Sequence, residues 1–458
     1  MQNTFINEDY LFNLVNTPPK LSLDDVLNDA VALKGLTLEQ SAFLLSIKNQ
    51  QDIEKLFSAA KFVKEKVYGN RIVLFAPLYA ANVCTNNCVY CAFRRDNKDI
   101  KRMVLTPDEV VEEAKAIMRM GHKRIILLTG EDYKDTGLDY IEEIMQRIYK
   151  TKELNGEIRR ININIAPLTV DEFKRLNSFG IGTYQVFQET YHRQTYTEMH
   201  PAGKKSNYDW RLEAMDRALQ AGIKDIGIGP LFGLADYKFE TLATLAHAEH
   251  LDKTYGIGPH TISVPRIEPA EGVPFSKNPP AQMDDTEFKK VIATLRLAVP
   301  YTGMMLSTRE TPKLRREILD LGVSQISAAS KTNPGGYHVH KDVTSQFESG
   351  DTRCMEDIIK ELCENDFLPS FCTACYRVGR VGEKFMEHAK SGHIHTFCEP
   401  NALATFEEYL QDYGNDELKS LGEALIQSRI AKISDDKIKE ITKKNIQAIK
   451  EGQRDLYL

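Results

Sequence analysis

No stretch of the 458 residues approaches the apolar length of a membrane span. Met1-Gln2-Asn3-Thr4 leads into polar, acidic sequence without the features of a signal peptide, so a cytoplasmic location and no membrane partner are expected. Long basic runs are missing as well. The formal charge is −6, from 59 basic against 65 acidic residues, which argues against nucleic acid as the main partner. Low-complexity tracts and self-similar repeats of 20–50 residues are absent. Hydrophobic content of 42% and charged content of 27% are those of an ordinary globular protein. Cysteines number only eight, and six of them fall in two clustered motifs. In a reducing compartment such clusters read as metal ligands before they read as disulfides.

The first motif is Cys84-Thr85-Asn86-Asn87-Cys88-Val89-Tyr90-Cys91. Three thiolates on one short loop leave one iron of a cubane 4Fe-4S cluster without a protein ligand, and an open iron can bind a small molecule. Zinc normally takes four closed ligands, and no fourth Cys or His lies nearby. Around this motif the chain keeps a strand-then-helix rhythm. Strands are expected at 72–75, 124–128, 161–165, 184–187, 225–228, 261–264, 303–306 and 323–327, with amphipathic helices between them. The segment from Thr106 opens with an N-cap, Pro107 at the first helical position and acids in the first turn. Eight such units predict an α/β fold, a (β/α)8 TIM-type barrel. The expected organisation is a helical N-terminal extension over 1–70 with capped starts at Ser22 and Thr37, the barrel over 71–340, and a mostly helical C-terminal domain over 341–458. In such barrels chemistry sits at the C-terminal ends of the strands, where the cysteine loop would lie.

The Cys-x3-Cys-x2-Cys spacing resembles that of the radical S-adenosylmethionine (SAM) enzymes. The resemblance implies that the free iron chelates the amino and carboxylate groups of SAM, whose reductive cleavage gives a 5′-deoxyadenosyl radical. It also implies cofactor contacts. Thr129-Gly130-Glu131 resembles the Gly-Gly-Glu turn that holds the SAM amino group, and Tyr90 the aromatic residue beside the adenine. Glu189 and Arg211 match the pair that contacts the ribose or methionine portion, where a carboxylate accepts from hydroxyls and a guanidinium forks onto a carboxylate. Arg309 after strand seven, with Ser327 at the end of strand eight, resembles the substrate anchor of the aromatic amino acid lyase branch. That implies a tyrosine carboxylate held by Arg309, unless Glu310 or Glu268 pairs with it instead.

A second motif, Cys372-Thr373-Ala374-Cys375, is followed after 22 residues by Cys398. It could be a zinc site completed by His388, His393 or His395, or a second iron-sulfur cluster with an open iron. Cys354 and Cys363 lie outside both motifs and read as buried free thiols. With its run-on Cys398-Glu399-Pro400-Asn401, the motif is similar over the whole chain to the tyrosine lyases of FeFe-hydrogenase maturation. The 2-iminoacetate synthases of thiamine biosynthesis share the barrel but lack this set. The resemblance implies cleavage of the tyrosine Cα–Cβ bond to p-cresol and dehydroglycine. The latter would become CO and cyanide on an auxiliary cluster, giving an Fe(CO)(CN) synthon. Further implications are an extra iron bound through a free cysteine, with His260 as a protein ligand, and a tunnel between the sites. Implied partners are other hydrogenase maturases and an electron donor such as ferredoxin or flavodoxin. A 2-iminoacetate synthase, or a non-catalytic iron-sulfur scaffold, is the alternative.

Overall fold

Eight parallel strands close on themselves in the computed structural model, which describes residues 5–340 and 343–458; the N-terminal tetrapeptide read above lies outside them. In chain order they are β1 (Arg71–Ala81), β2 (Arg124–Thr129), β3 (Arg160–Asn164), β4 (Tyr184–Gln185), β5 (Ile226–Ile228), β6 (Thr261–Ser263), β7 (Gly303–Leu306) and β8 (Gln325–Ser327). Each pairs with the next, and β8 returns to β1 through Val73↔Gln325 and Phe75↔Ser327, so the barrel has no open edge. The strand cores are Ile-, Val- and Leu-rich and fully covered, as parallel strands under helices require. Helix starts follow the local chemistry. Thr106 with Glu109 and Thr169 with Glu172 form reciprocal capping boxes.

Four helices, Glu8–Asn16, Leu23–Val31, Leu38–Ser46 and Gln50–Tyr68, precede β1, with Ser22 and Thr37 as N-caps. Lys290 of the barrel donates to the carbonyls of Leu45 and Ile47 at 2.9 and 2.6 Å, and the Tyr68 hydroxyl bonds the Tyr301 carbonyl. These bonds fix the extension to the outer helices.

Beyond a short antiparallel pair, Lys152–Glu153 with Gly156–Glu157, one strand outside the expected eight joins the barrel sheet. β9 (Leu368–Ser370) also runs parallel to β1, pairing with Arg71–Val73. Val73 is therefore paired on both edges, with Gln325 and Ser370, and β1 first meets β2 higher up, at Ala76. The eleven-residue β1 thus projects below the barrel and carries β9 on its lower part. The cysteine loop that follows β1 lies at the upper mouth. Cys372, two residues beyond β9, lies at the floor. Helices His395–Tyr413, Asp416–Lys432 and Asp436–Lys450 complete this end. Glu408 anchors the first of them to the floor, with Arg159 at 2.6 and 3.0 Å and Lys123 at 3.2 Å. Among the described residues no helix is long and apolar enough to cross a membrane.

Candidate functional site

The loop after β1 has no sheet to hold it, so side chains do. Asn82 accepts from the Met103 amide at 2.7 Å and donates to the Lys101 carbonyl at 2.8 Å. The Arg102 guanidinium gathers the carbonyls of Asn82, Phe93 and Asn97 at 2.8–3.0 Å, together with that of Arg94. The loop is pinned to the end of β2 by the Thr85 amide on the Glu131 carbonyl, 3.0 Å. At Gly130 a Cβ would stand 2.1 Å from the Val83 carbonyl oxygen, so the approach of these two segments requires glycine. Burial pushes the thiols of Cys84, Cys88 and Cys91 up to about 11. Such thiols become thiolates when a metal offsets the cost. Gln346 donates to Cys91 Sγ at 3.8 Å while accepting from the Tyr79 hydroxyl at 2.8 Å.

Beside the thiols two carboxylates and two cations form one buried network. Arg211 lies 2.8 Å from Glu131 and 3.5 Å from Glu189, and Lys205 lies 2.6 Å from Glu189. Asn86 donates to Glu131 at 2.7 Å, and Arg211 Nε donates to the Phe187 carbonyl at 2.6 Å. Burial raises the Glu131 carboxyl, but Arg211 and Lys205 outweigh it and hold the group below its usual range. Glu189 has φ +70°, a left-handed conformation that a non-glycine residue keeps only where its surroundings impose it. The Tyr90 hydroxyl meets His200 Nε2 at 2.8 Å, with His200 Nδ1 on the Tyr196 carbonyl at 2.8 Å.

Across the cavity stands Arg309. Its guanidinium covers the Phe347 ring at 3.4 Å, touches the Arg266 carbonyl at 3.4 Å, and has no ion-pair partner among the described residues. Glu310, one partner that sequence reading left open, is bound by Arg266, with one contact at 3.0 Å. Glu268, the other partner left open, lines the same cavity and acts on Arg309 only through its charge, so the guanidinium faces the cavity with no carboxylate bonded to it among the described residues. One cavity of about 220 Å³ is lined by Cys84, Cys88, Cys91, Tyr90, Gly130, Glu131, Glu189, Arg211, Arg309 and Ser327, which are all the residues expected at the mouth. Sequence reading missed Asn86, Arg102, His200, Lys205 and Gln346. Only Asn86, within the cysteine motif, carried a local signal.

At the floor, a smaller cavity is lined by Cys372, Cys375, Cys398 and His260. His388, His393 and His395 do not line it. His388 lies against Phe397, and His395 Nδ1 bonds the Gly392 carbonyl at 2.8 Å. His260 immediately precedes β6, with Nδ1 3.3 Å from Asp225 Oδ1. The Cys375 thiol donates toward Cys398, which, with Arg71 and Arg380 nearby, pulls the Cys398 thiol down. Arg71, Arg124 and Tyr376 also line it, and the Arg160 guanidinium covers the Tyr376 ring at 3.5 Å. Both thiol sets suit iron-sulfur clusters in donor type and in convergence on one cavity each. Of the remaining cysteines, Cys363 is buried as expected. Cys354 is exposed, contrary to expectation: it stands at the N-terminal boundary of the helix Met355–Glu364, and its thiol donates to the Asp357 side chain, Oδ2 at 3.1 Å, on the surface.

Comparison with known proteins gives a consistent picture. The radical SAM superfamily model matches residues 78–247, and the biotin and thiamin synthesis associated domain matches 263–368. The 2-iminoacetate synthase of Escherichia coli is 32% identical over 356 residues, 78% of this chain and 92% of its own length. A crystal structure of HydG, described as a maturase of the FeFe-hydrogenase, is 49% identical with a TM-score of 0.96, covering 99% of this chain and 100% of its own. HydG from Carboxydothermus hydrogenoformans is 43% identical with a TM-score of 0.86, covering 97% and 99%.

Proposed function

The chain belongs to the HydG family of radical SAM enzymes, and on that premise we propose that it is a tyrosine lyase of FeFe-hydrogenase maturation. The observation that carries this reading is the pair of thiol sites at opposite ends of one barrel. When bound, the upper cluster and SAM supply a hydrogen-abstracting radical. The chain's residues bind and orient. Cys84, Cys88 and Cys91 would hold three irons and leave the fourth for SAM. The Glu131–Arg211–Glu189–Lys205 network offers acceptors for an ammonium and for ribose hydroxyls, and donors for a carboxylate. Tyr90, steadied by His200, would lie beside the adenine. Arg309, with the Ser327 hydroxyl, would fork onto the tyrosine carboxylate and point the amine toward the radical. Burial of these groups excludes water that would quench it.

Cleavage of the tyrosine Cα–Cβ bond would then give p-cresol and dehydroglycine. We assign the conversion of dehydroglycine to CO and cyanide to the floor. There Cys372, Cys375 and Cys398 would hold the auxiliary cluster, and His260, with a free cysteine, the extra iron that leaves as the Fe(CO)(CN) building block. A one-electron donor of the ferredoxin or flavodoxin kind would reduce the upper cluster, and other hydrogenase maturases would receive the product.

The test is anaerobic reconstitution followed by SAM, dithionite and tyrosine, with p-cresol, CO and cyanide assayed together. All three products are expected. p-Cresol without CO or cyanide from fully loaded protein would leave a 2-iminoacetate synthase, and intact clusters without SAM cleavage would leave a scaffold.

A further inference from the structure

Behind the upper site lies a buried carboxyl that the proposed mechanism does not use. Glu240 belongs to the helix Tyr237–Tyr255 outside the barrel and is fully inaccessible. Its side chain reaches into the loop after β4. One oxygen accepts from the Thr190 hydroxyl, and the other from the Tyr191 amide at 2.9 Å. No cation lies within ion-pair distance of it among the described residues, and its charged neighbours Asp236 and Glu8 are acidic. Burial, the larger cause, and those neighbours raise the carboxyl to about 8. A buried, unpaired carboxyl is a cost to the fold. What it gains is two hydrogen bonds, both to the residues that directly follow Glu189.

Glu189 is the cavity-facing residue held at φ +70°. A left-handed glutamate needs its flanks fixed, and the segment that follows it is held by several bonds. The Leu231 amide bonds the Glu189 carbonyl at 2.7 Å, the Tyr208 hydroxyl bonds the Tyr191 carbonyl at 2.7 Å, and the Tyr191 hydroxyl meets His247 Nδ1 at 3.0 Å. Of these partners Glu240 alone binds two consecutive residues, so it sets both the position and the twist of the segment. We infer that Glu240 is a positioning residue that fixes Glu189 in the orientation needed to engage SAM. The inference rests on the radical SAM reading above.

The test uses the reconstituted holoenzyme and measures SAM affinity, the change in the cluster's electron paramagnetic resonance spectrum on SAM addition, and 5′-deoxyadenosine formed per p-cresol. Glu240→Ala is expected to weaken SAM binding about tenfold and to raise that ratio, with iron content unchanged. Glu240→Gln keeps an acceptor for the Tyr191 amide and should recover part of the loss. In a Glu189→Ala background, Glu240→Ala should add nothing, because its effect passes through Glu189; a purely structural role would add in full. Should Glu240→Ala fail to fold, Thr190→Val removes one of the two bonds, together with the acceptor of the His192 amide at 3.2 Å, and it should shift SAM affinity in the same direction by a smaller factor. SAM binding by the wild type that is unchanged in a folded, iron-loaded Glu240→Ala or Thr190→Val overturns the inference and leaves the proposed function standing. A wild type that binds no SAM overturns the function itself.

Discussion

Two buried lysines, one at each end of the barrel, shift in opposite directions. Burial and Arg211 push Lys205 down at the mouth, yet Glu189, Cys88 and Glu131 outweigh them and its affinity for the proton rises. Burial pushes Lys64 at the floor down to about 7. Among the described residues its Nζ bonds only Asn70 Oδ1, at 3.4 Å, with the Phe367 ring at 4.7 Å; the charges of Asp320 and Glu65 oppose the shift without overcoming burial, and Arg296 and Arg71 add to it. The contrast extends to the sites. The network at the mouth sets Glu131 and Glu189 against Arg211 and Lys205 and balances its charges, which suits a zwitterion such as the methionine end of SAM. The floor sets Arg71, Arg124 and Arg160 against Asp225 and is cationic, which suits an anion. One barrel therefore offers two electrostatic environments, and the two successive reactions proposed above, with differently charged substrates, would need that.

The sharpest way to break this comparison is to remove the thiols of one end at a time. Cys88→Ser should abolish all three products, since SAM cleavage depends on the upper set. Cys372→Ala combined with Cys375→Ala should keep p-cresol, lose CO and cyanide, and reduce iron by about four per chain or slightly more. Loss of p-cresol in that floor variant would mean that the ends are not separable. Next in size is Arg309→Lys. A lysine keeps the charge but not the fork or the stacking on Phe347, so kcat/KM for tyrosine should fall roughly 10²–10³-fold, equivalent to about 3–4 kcal/mol. SAM affinity should not move. An equal loss of SAM affinity would place Arg309 in the cofactor network instead.

How much of this was legible beforehand follows from what is local in sequence. Cys84, Cys88 and Cys91 share one loop, and the eight strands carry their own apolar signals, so the barrel and its mouth could be read directly. Glu131, Glu189, Arg211 and Arg309 were assigned by resemblance to radical SAM relatives, and Glu131, Glu189 and Arg309 fit because a parallel barrel puts every strand's C-terminal end at the same mouth. Lys205, His200 and Gln346 were not. Each reaches the site from a loop whose path depends on the folded barrel, and nothing in their flanking residues differs from a surface segment. β9 was missed because three residues, Leu368-Pro369-Ser370, are too short for a periodic signal and include a proline that usually argues against a strand. Pro369 is tolerated in a short strand paired through β1 beneath β2. The floor location of the second thiol set follows from that strand, and before it was known only the position of His260 pointed there.

Asp225 sharpens the comparison at the floor alone. Its carboxylate stands 3.3 Å from His260 Nδ1 without hydrogen-bond geometry, and a small turn of the ring would form the bond that holds that nitrogen protonated and frees Nε2 for the proposed iron. Asp225→Asn should weaken retention of the extra iron about 10–100-fold, measured by iron titration with electron paramagnetic resonance, while p-cresol formation stays at the wild-type rate. Unchanged iron retention would remove the carboxylate from the site's support.

Lys64 gives the smallest effect on turnover and the most direct reading of the floor's field. The unfolded chain keeps this proton to about pH 10.5, whereas the fold releases it near 7. Between those values the unfolded state binds more protons, so the stability that depends on Lys64 rises with pH. Below about 7 both states are protonated and the fold carries the whole cost of a buried ammonium. Lys64→Met, which keeps the length of the side chain and removes the charge, should therefore be more stable than the wild type at pH 7, by roughly 2–4 kcal/mol after allowing for relaxation around the charge. The advantage should shrink toward zero as pH approaches 10, with both product yields unchanged throughout. Lys205→Met should do the reverse at the mouth and destabilise, because it strips Glu189 of its closest cation. Urea midpoints of the cluster-free proteins across pH 6–10 would decide it. Parallel curves for the wild type and Lys64→Met would show that the floor stabilises an ammonium as well as the mouth does, and the contrast between the two ends would fail.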